Sequence, residues 1–300
     1  MTSGIPETAA AWIASSWPSL IDHLWQTSLF AAVVLLLYAC LGRAPAHLRH
    51  SLLFAIVVRF ALPSELLSYV LERAGLMPLL LWQNAAGTAL IEGPLLETIA
   101  AGYRWIPSAS PRAHDSDVIL LSRLAALWLA GFASIFALQV IRHARLTSRL
   151  RREAKPAGDR EQSMLRSACR RLGIRGEIRL LDCAFVTEPA AWGLWRPAVL
   201  LPKGVSKQLT GEELETVLMH EAAHIRRRDN LASCVEAFVF AAFWFHPLTW
   251  WLNRRLRAER EMACDEAVLA SGAAADAYVS AIAKICRATI APAVAGLSSA

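Results

Sequence analysis

The stretch His220-Glu221-Ala222-Ala223-His224, with Glu261-Met262-Ala263-Cys264-Asp265 farther along the chain, decides how this sequence is read. Side chains at i and i+4 share one helical face, so on a helix His220 and His224 aim their imidazoles at a single point. That point suits one metal ion. Glu221 stands beside the same face, placed to act on a water held by the ion. Zinc in a hydrolytic site takes three protein ligands and keeps a fourth position open for water. Glu261 is the expected third ligand. Glu259, two residues earlier, is a rival, but it falls on a different helix face. The pattern reads as a zinc hydrolase, with peptide hydrolysis as the first expectation.

Residues 211–228 (GEELETVLMHEAAHIRRR) read as one helix. Thr210 is a natural N-cap, and Glu213 three residues on completes a capping box. Arg226, Arg227 and Arg228 fall in the last turns, where cations suit the helix dipole.

The chain is 55% hydrophobic, with a mean hydropathy of +0.37. That is too apolar for a typical soluble domain of this length. The apolar residues come in blocks. Leu24–Leu41 carries no charge and is long enough to span a bilayer. Residues 1–22 hold no Lys or Arg, whereas a secretory leader starts basic, so this block is expected to be a retained anchor. Ser51–Leu71 is a weaker span, interrupted by Arg59, Pro63 and Glu65. Val118–Val140 is a strong one, with Arg123 near its outer end. Arg59 lies deep in its span, where a charge marks a functional position or a partner within the bundle.

Loop charges give the expected orientation. Arg43 and Arg49 follow the first block, and Arg142 to Arg175 hold eleven Lys or Arg against three acids. Positive loops stay in the cytoplasm. The expected plan is an external segment 1–22, two transmembrane helices over 23–72 with a cytoplasmic loop between them, an external loop 73–117, a third transmembrane helix 118–140, and a cytoplasmic domain 141–300. The chain is thus expected to be a multi-pass protein of the cytoplasmic (inner) membrane. The net charge of +6 follows from this topology. The basic run lacks interleaved aromatics, so direct nucleic-acid binding is not expected, whereas contact with membrane lipid is.

Within 141–300 a polar linker (142–162) precedes a short amphipathic helix, Gln162–Leu172. Strands are expected at Glu177–Leu181, Phe185–Thr187 and Pro197–Leu201, with a turn around Gly193, giving a small antiparallel sheet ahead of the metal helix. A sheet edge there could hold a substrate backbone in extended form. Leu231–Leu252 is apolar enough to pass for a fourth span. A full crossing of about 30 Å would, however, part His224 from Glu261. His246-Pro247 breaks the segment, so two helices folded as a hairpin, dipping into or lying against the membrane, are expected instead.

The blocks HEAAHIRRRDN, FHPLTWWLNRRLRAEREMACDEAVL and EPAAWGLWRPAVLLP together resemble the BlaR/MecR-type antirepressor metallopeptidases, over nearly the whole chain. The H-E-x-x-H and E-x-x-x-D pair is also similar to CAAX-type and heat-shock membrane zinc proteases; His246-Pro247-Leu248-Thr249-Trp250 tips the choice. The resemblance implies an α+β membrane protein, with three transmembrane helices followed by a cytoplasmic gluzincin-like zinc protease domain. It implies a Zn2+ cofactor on His220, His224 and Glu261, Glu221 as the base, and Asp265 as acceptor for the N–H of a ligand histidine. It also implies a regulatory metalloendopeptidase that cleaves a cytosolic protein such as a transcriptional repressor. The alternatives are a housekeeping quality-control protease and a non-catalytic signalling protein that kept the zinc fold. A second copy of the chain is admitted as a partner beside the protein substrate. The family's receptors carry an extracellular penicillin-binding domain after the protease. No S-x-x-K occurs in these residues, so β-lactam sensing is not expected of them.

Candidate oxyanion donors are His246 and Tyr278, each with a structural role as the plainer reading. Asp229, at the end of the metal helix, is read as a partner of local backbone. Cys264 is read as packing. The six cysteines show no C-x-x-C spacing, and those of the predicted cytoplasmic half are expected to be reduced thiols.

Overall fold

The computed structural model of the protein describes residues 7–62, Arg73 and 115–297. The chain divides into two compact units. One holds 1–42, 51–135 and 241–249; the other holds 43–50, 136–240 and 250–300.

In the first unit, α1 (Glu7–Cys40) is helical well before the expected first span, so residues 7–22 continue it. The second helix, α2 (Ala46–Ala61), ends before the expected span Ser51–Leu71 is complete; residues 63–71 lie outside the described residues, as does most of the expected loop 73–117. Ala31, Val34, Leu53, Ile56, Val57 and Phe60 form the buried apolar faces of α1 and α2. Arg59 is satisfied locally. One guanidinium nitrogen meets His23 Nδ1 at 3.2 Å and donates to Leu62 O at 2.9 Å, and the other donates to Gln26 Oε1 at 3.1 Å. The third long helix, α3 (Asp115–Glu153), starts in this unit and carries Gly131, where a Cβ would lie 2.5 Å from the Trp244 ring. Trp128 Nε1 donates to Ala242 O at 2.7 Å. Among the described residues two helical stretches are long and apolar enough to cross a membrane, Ser19–Cys40 and Ile119–Glu153.

The second unit contains the sheet. Strand β1 (Lys155–Pro156) follows α3 directly, so the expected linker is helical up to Glu153. Helix α4 (Asp159–Arg171) leads to β2 (Arg179–Cys183), β3 (Ala190–Trp192) and β4 (Ala198–Pro202), with strand order β1-β2-β4-β3. The sheet is mixed, which corrects the expectation of an antiparallel one. β3 and β4 form an antiparallel hairpin, and the connection 184–189 sets β3 one strand position away from β2, so that β4 fills the gap and pairs parallel with β2. Every residue of β4 is buried, which accounts for its unbroken apolar run. Phe185–Thr187 is not a strand; Ala190–Trp192 is, because the tight turn after it folds β4 back onto it. Gly193 makes that turn possible. Its φ is +91°, and a Cβ there would lie 2.6 Å from Arg196 O.

After the short helix α5 (Val205–Gln208) comes α6 (Gly211–Arg227), opened by the expected capping box. Thr210 Oγ1 accepts from Glu213 N–H, and Glu213 accepts from Thr210 N–H at 2.8 Å. Helix α7 (Asp229–Ala242) and α8 (Pro247–Ala270) replace the apparent fourth span. They break at the expected Pro247 and pack antiparallel, tied by Arg260 to Glu236 at 2.6 Å and to Ser233 at 2.9 Å. The last helix, α9 (Ala275–Leu297), packs on α6. Residues 43–50 dock on α8. Both Glu266 carboxylate oxygens accept from Ala46 N–H, at 2.9 and 3.1 Å, capping the start of α2. Arg49 meets the fully buried Glu259 at 3.1 Å, and Arg255 meets it at 3.0 Å.

Two outcomes follow. Because α7 and α8 return on themselves, probes at positions 210 and 275 are labelled from one side of the membrane; labelling from opposite sides would mean that Leu231–Leu252 crosses. Glu213 also holds Lys284 and Ser280, at 2.7 and 2.6 Å. These hydrogen bonds, with that from Thr210 N–H, lower its pKa from 4.5 to about 2. A depressed carboxylate stabilises the fold above its unfolded pKa and stops doing so as pH falls through the folded value. Acid denaturation should therefore weaken the wild type between pH 4.5 and about 2. Glu213→Gln should be less stable at neutral pH, with a smaller loss across that window.

Candidate metal centre

The centre lies in the second unit, between α6 and α8. One helical turn separates His220 from His224, and α8 brings Glu261 across to both. The two Nε2 atoms are 3.2 Å apart. Glu261 Oε2 lies 3.4 Å from His220 Nε2 and 3.6 Å from His224 Nε2. A tetrahedral ion with bonds of about 2.0–2.1 Å holds its ligands about 3.3 Å apart, so this triangle fits one ion. Glu261 is half-exposed, which leaves the face opposite the histidines open.

Each histidine is held from behind. His224 Nδ1 is 2.8 Å from Asp229 Oδ2. His220 Nδ1 is 2.7 Å from the Tyr278 hydroxyl and 3.2 Å from Asp265 Oδ1, and the hydroxyl donates on to Asp265. If Nε2 carries the lone pair for a metal, Nδ1 must carry the proton, and in both rings a carboxylate or a carboxylate-backed hydroxyl waits to accept it. A second donor cluster, His224 Nδ1, Asp229 Oδ2 and Cys264 Sγ, shares His224. Its 2.8 Å N–O distance is that of a hydrogen bond, shorter than a metal would hold those two atoms apart. Cys264 packs there, 3.3 Å from the ring.

Asp229 is the residue that sequence reasoning misplaced. It does not cap local backbone; it is buried against His224, with Arg227 Nε at 3.3 Å. Arg228 makes this possible. It ends α6 with a φ of 58°, the one left-handed non-glycine residue among the described residues, and turns the chain so that the first residue of α7 faces the last histidine. The signal was an Asp five residues after the motif's second His. His246 belongs to the first unit. There its Nδ1 accepts from Leu248 N–H at 3.3 Å, and its ring packs on Phe60.

Electrostatics fit a cation. Burial disfavours protonated His220, yet Asp265 and Glu261 raise its pKa to about 9. Burial likewise opposes protonation of His224, but Asp229, Cys264 and Glu261 raise it to about 12. Hydrogen bonds from the two histidines hold Glu261 far below the usual carboxylate range. The carboxylates around these rings thus make a field that retains positive charge. Glu221 is buried beside them, and burial pushes its pKa up. Helix α6, which carries Glu221, packs against β3. The helix that carries both histidines is therefore in direct contact with the outer strand of the sheet.

The sequence profile of the BlaR1 peptidase M56 family matches residues 19–295. The chain belongs to that family. It is similar to the regulatory protein BlaR1 of Bacillus licheniformis, at 25% identity over 175 residues, which cover 58% of this chain and 29% of that protein. It is also similar to the methicillin resistance mecR1 protein of Staphylococcus aureus, at 25% identity over 84 residues, 28% of this chain and 14% of that protein. The matched stretch is thus less than a third of either relative's length. Membership of a peptidase family agrees with a donor triangle of this kind.

Asp229→Asn keeps the shape of the side chain but removes the charge that orients His224. It should weaken zinc affinity by about 10–100-fold in chelator competition. His220→Ala, His224→Ala and Glu261→Ala should each lose the ion; full zinc occupancy in Glu261→Ala would exclude it as a ligand.

Proposed function

We propose that this chain is a membrane-embedded zinc metalloendopeptidase that cleaves a cytosolic protein, such as a transcriptional repressor, within a transmembrane signalling pathway. The observation that carries the reading is the convergence of His220, His224 and Glu261 within 3.2–3.6 Å of one another, with Glu221 buried beside them. A zinc ion bound there supplies a Lewis acid that acidifies water and polarises a scissile carbonyl. The rest falls to side chains. Glu221, sheltered from solvent, takes a proton on its carboxylate and returns it to the leaving amine. Asp229 and Asp265 keep the protons on the Nδ1 atoms, and Tyr278 links His220 to Asp265. β3, at the sheet edge and packed against α6, offers its outer backbone edge to an extended peptide.

The regulatory assignment is supported by the similarity to a regulatory protein and by the basic segment after α3, which favours a cytoplasmic placement of the second unit. On this reading the protein sits in the inner membrane with its active site on the cytoplasmic side.

Glu221→Gln removes the base and leaves all three proposed ligands. Zinc content and thermal stability should stay at the wild-type level while cleavage falls about 10²–10⁴-fold. A zinc-replete variant with substantial activity would assign water activation to another residue. The same variant, used as a trap in cells, should retain an intact cytosolic regulator; retention of diverse damaged membrane proteins instead would point to quality control.

A further inference from the structure

The turn between β3 and β4 ends in Leu194-Trp195-Arg196, and Trp195 is 94% exposed. An indole left in water on a well-paired hairpin needs an explanation, and the geometry around it supplies one. The apolar run of α3 closes at Ile141, and Arg142 starts the basic segment. His143, two residues or about 3 Å farther on, stacks on Trp192 with ring centroids 4.7 Å apart. Leu150, about 10 Å beyond His143, packs with Cys183 of β2 and Leu200 of β4. β1 follows the end of the helix. The sheet therefore moves away from the apolar run in the order β3, then β4 and β2, then β1. β3 is the strand nearest the end of that run.

A second tether places the start of the turn. α7 lies along the last apolar turns of α3, through Gln139 Nε2 donating to Ala237 O and Phe136 packing edge-on to Phe238. Asn230, about 10 Å back along α7, donates to Gly193 O at 3.0 Å. The first tether sets β3 about 3 Å beyond the end of the apolar run and the second sets Gly193 about 7 Å beyond it, a span that matches a headgroup layer about 5–7 Å deep. Trp is the residue of that layer. Arg196, with Arg142 and Arg145 on α3, supplies charge complementary to anionic phosphates.

We propose that the β3–β4 turn docks into the headgroup layer of an anionic bilayer, with Trp195 at the interface and Arg196 on lipid phosphates, and so seats the edge strand and the metal helix at the membrane surface. This rests on α3 crossing the membrane. The full chain is reconstituted into vesicles of phosphatidylcholine and phosphatidylglycerol, with plain or brominated acyl chains. Tryptophan emission of the wild type is compared with that of Trp195→Phe and, as a control within the apolar run, Trp128→Phe. The component lost in Trp195→Phe should be blue-shifted and quenched by brominated lipid, and Arg196→Gln or omission of phosphatidylglycerol should reduce that quenching. Quenching of the Trp128 component without the Trp195 component overturns the proposal and leaves the membrane span intact. Quenching of neither overturns both. A photo-crosslinking residue at 195 should capture lipid; capture of a second copy of the chain or of a protein substrate would assign the turn to that partner instead.

Discussion

Two imidazoles and a carboxylate forced to within 3.2–3.6 Å of one another are the constraint around which the second unit is organised. Such a cluster is costly to assemble. It desolvates polar groups and sets two nitrogen lone pairs facing each other. Everything close to it reduces that cost. Asp229, Asp265 and Tyr278 fix the far nitrogen of each ring. The α7–α8 return brings Glu261 to the same side as the H-E-x-x-H helix. The left-handed Arg228 is a local strain of order 1–2 kcal/mol, accepted where it delivers Asp229 to His224.

Behind this triangle of side chains lies a layer of largely buried charge. Buried Arg49 and Glu259, joined by the half-exposed Arg255, form one group and buried Arg260 with Glu236 another, all on or against α7 and α8. Buried ion pairs are weak sources of net stability but are expensive to break singly, because a desolvated charge is left behind. Their effect is on register. A one-residue slip of α8 would carry Glu261 off the site and leave Glu259 without its partners.

The parts of this arrangement legible in the sequence are those set by local spacing. The i, i+4 histidines, the Thr210–Glu213 capping box and the break at Pro247 depend on residues a few positions apart. Glu261 was legible through its own short motif, and the structure brings it to the histidines. Asp229 was not, because its role depends on a left-handed turn at Arg228 that no residue type there announces. The mixed sheet was not, because strand order is a tertiary choice: nothing local says that β4 inserts between β2 and β3 rather than lying beside β3 alone. The docking of residues 43–50 on α8 was invisible for a plainer reason, since nothing local relates Arg49 to Glu259.

That last contact bears on how the protein is made. Ala46 and Glu266 are 220 residues apart in the chain. At a synthesis rate of about 5–20 residues per second, the first must wait about 10–40 s for the second to emerge. During that interval the opening N–H groups of α2 and the Arg49 guanidinium are met by water. The segment waits with the charges of Arg43 and Arg49 in water, and its contacts with α8 close only once Glu259 and Glu266 have been made.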